Sequence, residues 1–205
     1  MELALIILVS SALIAVAEVL KRKFSLPTMF TRRFAHVTTA IVACIAPFFI
    51  TRTEIVVVSI MFAVVLQLGR RYNIFSAIHT VERRTYGDIF LPLGVAGAAL
   101  LFLPDNVQAF QFGVLVMGIS DAMAGLIGEK YGKHTIRFFG NVKSLEGSAV
   151  FFVCTLILVL LFAPVFSYPL VMIVMVLTIV ELLSVYGLDN LILPTLGAFL
   201  FQFVT

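Results

Sequence analysis

A succession of apolar runs, each about as long as a membrane-spanning helix, occupies the chain from Leu3 to Val204. A helix needs roughly 20 apolar residues to cross a bilayer, and fewer where it packs inside a bundle. The sequence therefore predicts an all-α, polytopic bundle of about eight transmembrane helices, with seven as the alternative count, in one integral membrane domain over 1–205. The predicted spans are residues 2–20, 34–51, 54–69, 88–104, 107–128, 145–163, 168–186 and 190–204.

The composition agrees with a membrane protein and excludes other classes. Only 12% of the 205 residues are charged and the mean hydropathy is +1.14, whereas about a quarter of the residues of a soluble domain are charged. The net charge of +3 lies in short loops, so we do not expect nucleic acid as a partner. Cys44 and Cys154 lie in apolar runs without metal-ligand spacing, which predicts small core residues and neither a zinc site nor a disulfide.

The basic residues predict the orientation in the membrane. Every Lys and Arg except Arg52 follows span one, three or five. Because cytoplasmic loops are enriched in Lys and Arg, this alternation predicts both termini on the non-cytoplasmic side. The first run is followed, not preceded, by Lys21, Arg22 and Lys23, which favours a retained helix over a cleaved signal peptide. The expected location is a prokaryotic plasma membrane or an equivalent internal membrane, and the oligomeric state stays open.

The same topology brings the polar motifs to the cytoplasmic side, where nucleotides are found. The outer links are short and nearly featureless. We therefore expect a catalytic region over about 82–148, with contributions from 32–36 and 181–190. The motifs are RRFAH at 32–36, ERRTYGD at 82–88, the stretch 120–148 and GLDN at 187–190.

The stretch SDAMAGLIGEKYG at 120–132 places an acid inside the fifth predicted span. An unpaired carboxylate at membrane depth costs about 3 kcal/mol or more, so Asp121 should be paired or should bind a metal ion or a proton. On a helix, glycines share a stripe with Asp121, and such a stripe admits either a neighbouring helix or a ligand. Glu129, at the edge of the stripe, is either solvated or part of the site. The stripe consists of Gly118, Gly125, Gly128 and Gly132.

A basic loop follows, and it ends in KSLEGS at 143–148, where the next apolar run begins. Ser144 is placed to cap that helix, whose free N–H groups and dipole favour an anion. Lys143 adds a point charge suited to phosphate. The alternative is an ordinary basic loop with a serine cap. Because Mg²⁺ usually binds through one or two carboxylates plus phosphate oxygens, Asp121, Lys143 and this helix start together predict a metal and phosphate site.

Other polar residues have both a structural and a functional interpretation. His36 is either an interfacial histidine or a phosphate or proton-transfer partner. Asp88 is either the N-cap of span four or part of the site. Asp189 and Asn190 form either a simple turn or a further contact for Mg²⁺ or a nucleotide. Glu181, an acid inside span seven, is a candidate metal ligand with Asp121.

The order of these motifs resembles that of the CTP-dependent lipid kinases, a family that includes dolichol kinase, phytol kinase and the yeast-type diacylglycerol kinase. It is similar, more distantly, to phosphatidate cytidylyltransferase. The most specific part is D-A-x-A-x-x-x-G-x-x-x-G at 121–132 followed by K-S-x-E-G-S at 143–148. RRFAH, ERRTYGD and LDNL at 188–191 complete the order. The sequence contains no GxxxxGK[ST] loop, so a nucleotide triphosphate would bind in a site built from membrane helices.

The resemblance implies a multi-pass membrane enzyme that transfers the γ-phosphate of CTP to a lipid alcohol with Mg²⁺. On that pattern Asp121 is the acidic residue of the nucleotide or metal site, and the glycines allow close approach. His36 or Asp121 is the candidate base for the lipid hydroxyl. The resemblance assigns phosphate binding to Lys143, Ser144, Glu146 and Gly147, and Lys130, Lys133 and Arg137 are expected to neutralise phosphate charge.

Two positions depart from the family pattern, and two other functions compete with the kinase. Ser120 stands where the family usually has glycine, and Leu188 precedes Asp189 where many members have a second acid. A cytidylyltransferase would release pyrophosphate from CTP. A small transporter would use Asp121 and Glu181 as proton or cation sites. The candidate substrates are polyprenol, a phytol-like alcohol and diacylglycerol.

Overall fold

The computed structural model describes residues 1–72, 74–78, 85–138, 141–163 and 167–204. Most of these residues are helical, as the sequence predicts, and a helix overlaps each of the eight predicted spans. A 3₁₀ turn at Ala46–Phe48 follows α2, and a π-helical turn at Val116–Asp121 joins α5 to α6. The helices are α1 (Glu2–Phe24), α2 (Thr28–Ile45), α3 (Arg52–Arg71), α4 (Gly87–Phe102), α5 (Val107–Leu115), α6 (Ala122–Tyr131), α7 (Leu145–Phe162), α8 (Tyr168–Leu183) and α9 (Asp189–Phe201).

Four helices are long and apolar enough to cross a membrane: α1, α3, α7 and the continuous helix Val107–Tyr131 that contains α5 and α6. Helices α4, α8 and α9 are shorter and apolar. Large apolar side chains are exposed on the outer faces of several helices, such as Leu161, which is 74% exposed. Hydrocarbon would cover such a surface favourably. These features fit a membrane protein, while the count of eight spans and the non-cytoplasmic termini stay predictions.

Helix α2 begins earlier than the predicted span 34–51, because it starts at Thr28, directly after Pro27. Proline is well tolerated at a helix start, where its missing N–H group is not needed. The apolar pattern marks only the apolar part of a helix, and α2 continues past it into polar sequence. Arg32 and Arg33 consequently lie on the same helix as His36, in fixed positions relative to it.

A two-stranded antiparallel hairpin lies in the segment for which the sequence predicts a basic loop. Its strands are β1 (Thr135–Phe138) and β2 (Asn141–Ser144), and Ile136 lies opposite Lys143. Thr, Ile and Val favour strands, and only two residues separate the runs, which is typical of a hairpin. Ser144 ends β2 and caps α7: its Oγ accepts from the N–H of Gly147 at 3.1 Å. The predicted cap is therefore confirmed.

Helix α9 packs closely against α4 and α5 through glycines. A Cβ atom added to Gly94 would lie 2.2 Å from the Asn190 carbonyl oxygen, and one added to Gly113 would lie 2.1 Å from the Pro194 carbonyl oxygen. Asn190 Nδ2 also donates to the Gly87 carbonyl at 2.8 Å. This packing fixes the N-terminal end of α9 against the start of α4.

The core of the bundle is aromatic and aliphatic. Phe112 of α5 stacks on Phe201 of α9 with ring centroids 4.3 Å apart, and both side chains are fully buried. Cys44 and Cys154 are free thiols that are only partly buried, so they lie at the margin of the core that the sequence predicts for them.

Candidate functional site

A polar cleft of about 1220 Å³ opens at one end of the bundle. Its lining comes from all four segments that the sequence places on the cytoplasmic side. From the motif at 82–88 it includes Thr85, and residues 82–84 lie outside the described part of the chain. The charged residues that line the cleft are Lys21, Arg32, Arg33, Asp121, Glu129, Lys143, Glu181 and Asp189.

Asp121 is the last residue of the π-helical turn that interrupts the long helix Val107–Tyr131. Single π turns occur frequently at functional sites. One turn earlier, Gly118 lies against α2, where an added Cβ atom would be 2.0 Å from Ala40 Cβ. This contact brings α2 close enough that His36 Nε2 lies 3.9 Å from Asp121 Oδ2. That separation is longer than a hydrogen bond.

Three carboxylates meet at the floor of the cleft. One oxygen of each of Asp121, Glu181 and Asp189 lies within 4.8 Å of the others. Glu181 lies in the last turn of α8 and Asp189 begins α9. The link between them turns sharply, since Tyr186 and Gly187 have φ values of 56° and 87°. This turn and the π-helical turn place three acids from distant parts of the sequence side by side.

Lys143 extends from β2 into this group of acids. Its Nζ lies 2.5 Å from Glu181 Oε1 and 3.0 Å from Asp189 Oδ2, and it also donates to the Glu181 carbonyl. Burial alone would lower the pKa of Lys143, but the carboxylates of Asp189, Glu181 and Asp121 outweigh burial and raise the pKa above its ordinary value. The side chain therefore keeps its positive charge among the acids. The acidic cluster, as named below, consists of Asp121, Glu181, Asp189 and Lys143.

The first turn of α7 borders the same cluster. Ser148 Oγ donates to Glu181 Oε2 at 3.2 Å. Gly147 packs tightly on α6: an added Cβ atom would lie 2.9 Å from the Ala124 carbonyl oxygen and 3.2 Å from Gly128 Cα. The close contact between α6 and α7 therefore sets the distance between Asp121 and the helix start that Ser144 caps.

The glycine stripe beside Asp121 contacts neighbouring parts of the protein. Gly128 and Gly132 lie against Ser144, whose Oγ would be 2.8 Å and 2.7 Å from Cβ atoms added at these positions. Gly125 leaves room for Arg33, whose guanidinium would be 1.9 Å from an added Cβ. Arg33 in turn pairs with Glu129 at 2.7 Å. The stripe accordingly serves helix contact, one of the two uses that the sequence leaves open, while Gly125, Gly128 and Gly132 also line the cleft.

Several sequence-predicted site residues lie outside the cleft. Asp88 is not the N-cap of α4, which is Tyr86; it lies in the first turn and pairs with Arg70 at 2.6 Å. Glu146 faces His134, with its Oε1 2.7 Å from His134 Nδ1. Three predicted phosphate-binding residues are exposed and do not line the cleft: Lys130, Lys133 and Arg137.

Three polar residues of the cleft lie in the predicted motifs, but the sequence assigns them no individual role: Arg32, Arg33 and Ser148. Arg32 donates to Thr85 Oγ1 at 3.3 Å, and Arg33 adjoins Gly125 as described above. The signal is present in RRFAH, but the positive-inside pattern already accounts for arginines at that position. Ser148 lies one helical turn after Ser144 in KSLEGS, a spacing that places both near the same helix end.

The donor set of the cluster fits a divalent cation. Three carboxylates face a single ammonium group, which leaves an excess of negative charge where the acids converge. Carboxylate oxygens are ligands that Mg²⁺ prefers, usually together with phosphate oxygens. The two predicted ligands, Asp121 and Glu181, lie together, and Asp189 joins them. Arg32 and Arg33 of α2 also line the cleft and add positive charge suited to an anion.

Comparison with known proteins finds two relatives. The chain is 28% identical over 192 residues to a phytol kinase of Synechocystis sp., a match that covers 89% of this chain and 82% of that protein. It is 30% identical over 116 residues to an uncharacterized protein of Methanocaldococcus jannaschii, covering 56% of each chain. No protein-family model matches the chain, and no solved structure matches it.

Proposed function

We propose that this protein is a membrane-embedded kinase that transfers the γ-phosphate of CTP to the hydroxyl group of a lipid alcohol. The observation that carries the proposal is the acidic cluster of Asp121, Glu181, Asp189 and Lys143 at the floor of a polar cleft. The similarity to a phytol kinase over most of both chains supports the same reaction class. The nucleotide identity rests on the resemblance of the motifs to CTP-dependent lipid kinases.

Phosphoryl transfer depends chiefly on positioning the reactants and neutralising charge. In the proposed reaction the lipid oxygen forms a bond to the γ-phosphorus, the bond from that phosphorus to the bridging oxygen breaks, and CDP leaves. Lys143 is held in place by two carboxylates and offers a positive charge to the phosphates. Arg32 and Arg33 offer further positive charge from α2.

A bound Mg²⁺ would neutralise part of the phosphate charge, and Asp121, Glu181 and Asp189 are the residues that would hold it. The hydroxyl proton of the lipid passes to Asp121 or to His36, the two candidate bases. Both line the cleft and lie 3.9 Å apart, so either is near the place where the hydroxyl must meet the nucleotide. The proposed multi-pass topology puts this cleft on the cytoplasmic side, where CTP is available.

The test is an assay of the purified protein with γ-labelled CTP or ATP, a panel of lipid alcohols, and Mg²⁺ or a chelator. The panel includes a polyprenol, phytol and diacylglycerol. We expect label in the lipid with CTP and Mg²⁺, and little label with ATP or without the metal. Label in pyrophosphate would contradict the kinase and indicate a cytidylyltransferase. Ion flux in liposomes without turnover of CTP would indicate a transporter.

A further inference from the structure

We infer that the substrate is an alcohol with a single hydrocarbon chain, and that this chain binds in the apolar groove between α1, α2, α3 and α4. The hydroxyl group of the alcohol then lies at His36. The inference rests on the proposed function and deepens it, because it assigns a second binding site and a substrate class. The groove is lined on its outer sides by Ile6 and Ile14 of α1 and by Val58 and Phe62 of α3. Its walls are almost wholly apolar, as a hydrocarbon chain requires.

One face of α2 lines the groove. The lining residues are spaced three or four apart, the spacing of a single helical face. From His36 to Ala46 a helix rises about 15 Å, which is roughly half the 30 Å hydrocarbon thickness of a bilayer. The α2 residues that line the groove therefore extend over about the thickness of one leaflet. The lining residues are Arg32, Ala35, His36, Thr39, Val42 and Ala43 of α2 and Ala46 of the 3₁₀ turn that follows.

The groove and the polar cleft meet at Arg32 and His36, which line both. A ligand that occupies the groove and reaches this junction needs an apolar chain in the groove and a polar end at the cleft. An alcohol with one hydrocarbon chain has both. Asp121 lies 3.9 Å from the His36 Nε2 atom at this junction. A hydroxyl group held there is beside the acidic cluster.

The groove is narrow, and the helix α1 that borders it is mostly exposed. Its internal volume is about 90 Å³, compared with about 1220 Å³ for the polar cleft. Only 11% of the apolar window of α1 is buried, and α1 packs on α2. One chain can enter sideways past α1 and lie against α2, whereas the two chains of a diacylglycerol cannot both lie along the same single face.

Photolabelling tests the position of the chain without requiring turnover. Two hexadecyl alcohols are used with the intact protein in lipid nanodiscs, one with a diazirine at the far end of the chain and one with a diazirine beside the hydroxyl. We expect the far-end probe to label the region of Ala46 and Ile55, and the other probe to label the region of Ala35 and Thr39. Equal labelling of the lipid-facing Val57 and Val64 by both probes would overturn the inference.

Filling the groove tests substrate selection. Ala43→Phe places a large side chain in the groove, and Ala12→Phe makes the same change on the exposed side of α1. Displacing about two methylene groups of a long chain should lower kcat/KM for hexadecanol relative to hexanol, which is too short to reach Ala43, about tenfold in Ala43→Phe. Ala12→Phe should have the same ratio of the two kcat/KM values as the wild-type protein. An unchanged ratio in Ala43→Phe would overturn the inference.

The two experiments separate failure of this inference from failure of the proposed function. If the alcohols label the groove but are never phosphorylated, the groove stands as the chain-binding site and the proposed kinase function is wrong. Phosphorylation of alcohols with labelling spread over the outer surface would retain the kinase and overturn the groove as the chain site.

Discussion

Two sets of ion pairs include residues at the hairpin, and they differ in how far water reaches them. Lys143 meets Glu181 and Asp189 with its side chain only 18% exposed, whereas His134 meets Glu146 with its side chain 75% exposed. Exposed pairs are screened by water and salt and contribute little, but the members of a buried cluster depend on one another for their charge. Under the proposed function, we therefore assign a role in phosphoryl transfer to Lys143 and a role in holding the turn to Glu146 and His134.

Removing the ammonium group of the buried Lys143 should have the largest effect on stability and activity. Lys143→Met leaves Glu181 and Asp189 without their cation, and breaking such a pair costs about 3–5 kcal/mol. We also expect phosphoryl transfer to fall by about 10³-fold or more, because a charge that faces the phosphates is lost. Thermal unfolding in detergent and the labelled-CTP assay measure the two effects. Lys143→Arg should recover most of the stability but little of the activity, because a guanidinium group does not replace a compact ammonium group. Normal activity in Lys143→Met would contradict the assignment of Lys143 to the site.

Neutralising one acid should separate chemistry from stability within the cluster. Asp121→Asn keeps the shape of the side chain and should lower kcat/KM about 10²–10³-fold, since a charged group at the reacting centre is lost. Folding should be kept, because Lys143 still has Glu181 and Asp189 as partners. The measurements are kcat/KM at several Mg²⁺ concentrations and the thermal midpoint. Ser120→Ala, one residue away, serves as a control expected to retain activity.

Widening the contact between α6 and α7 should disturb the cluster indirectly. In Gly147→Ala the added methyl group meets the Ala124 carbonyl oxygen at 2.9 Å, and overpacking of this kind costs about 1–3 kcal/mol. Gly97→Ala is the matched control, since its nearest neighbour is the Thr195 methyl group at 3.2 Å. We expect a clear fall in the thermal midpoint for the first variant and a smaller one for the second. Equal midpoints would show that the glycine contact does not hold the site together.

Removing the charge of Glu146 should produce the smallest effect. Glu146→Gln weakens an exposed pair with His134, and we expect activity to stay within about twofold of wild type because such pairs contribute little. The same labelled-CTP assay checks this. A loss of activity as large as that of Asp121→Asn would show that Glu146 takes part in phosphate binding, as the family resemblance implies.

The sequence predicts the helices and part of the site for a physical reason. Charges inside apolar runs are expensive, so the apolar context alone marks Asp121 and Glu181 as functional candidates. Lys143 stands out because it precedes a helix start. Their meeting with Asp189 depends on the π-helical turn and on the turn at 184–188, and neither turn has a sequence pattern that fixes which acids it brings together.

Other residues show where sequence patterns stop being informative. Arg137 carries the same charge as Lys143 and lies in the same hairpin, but the structure exposes Arg137 and brings Lys143 to Glu181. The sequence does not single out Arg33, because the orientation rule already explains an arginine there. Gly128 fits both a ligand and a helix contact in the sequence, and in the structure it packs against Ser144 and Gly147 and also lines the cleft.

The most direct test of the central claim is Mg²⁺-dependent transfer of the γ-phosphate from CTP to a lipid alcohol, measured side by side in wild type, Asp121→Asn and Glu146→Gln. The account predicts labelled lipid from wild type and from Glu146→Gln, and almost none from folded Asp121→Asn. Labelled lipid from Asp121→Asn at the wild-type rate would contradict the assignment of the acidic cluster as the site of phosphoryl transfer.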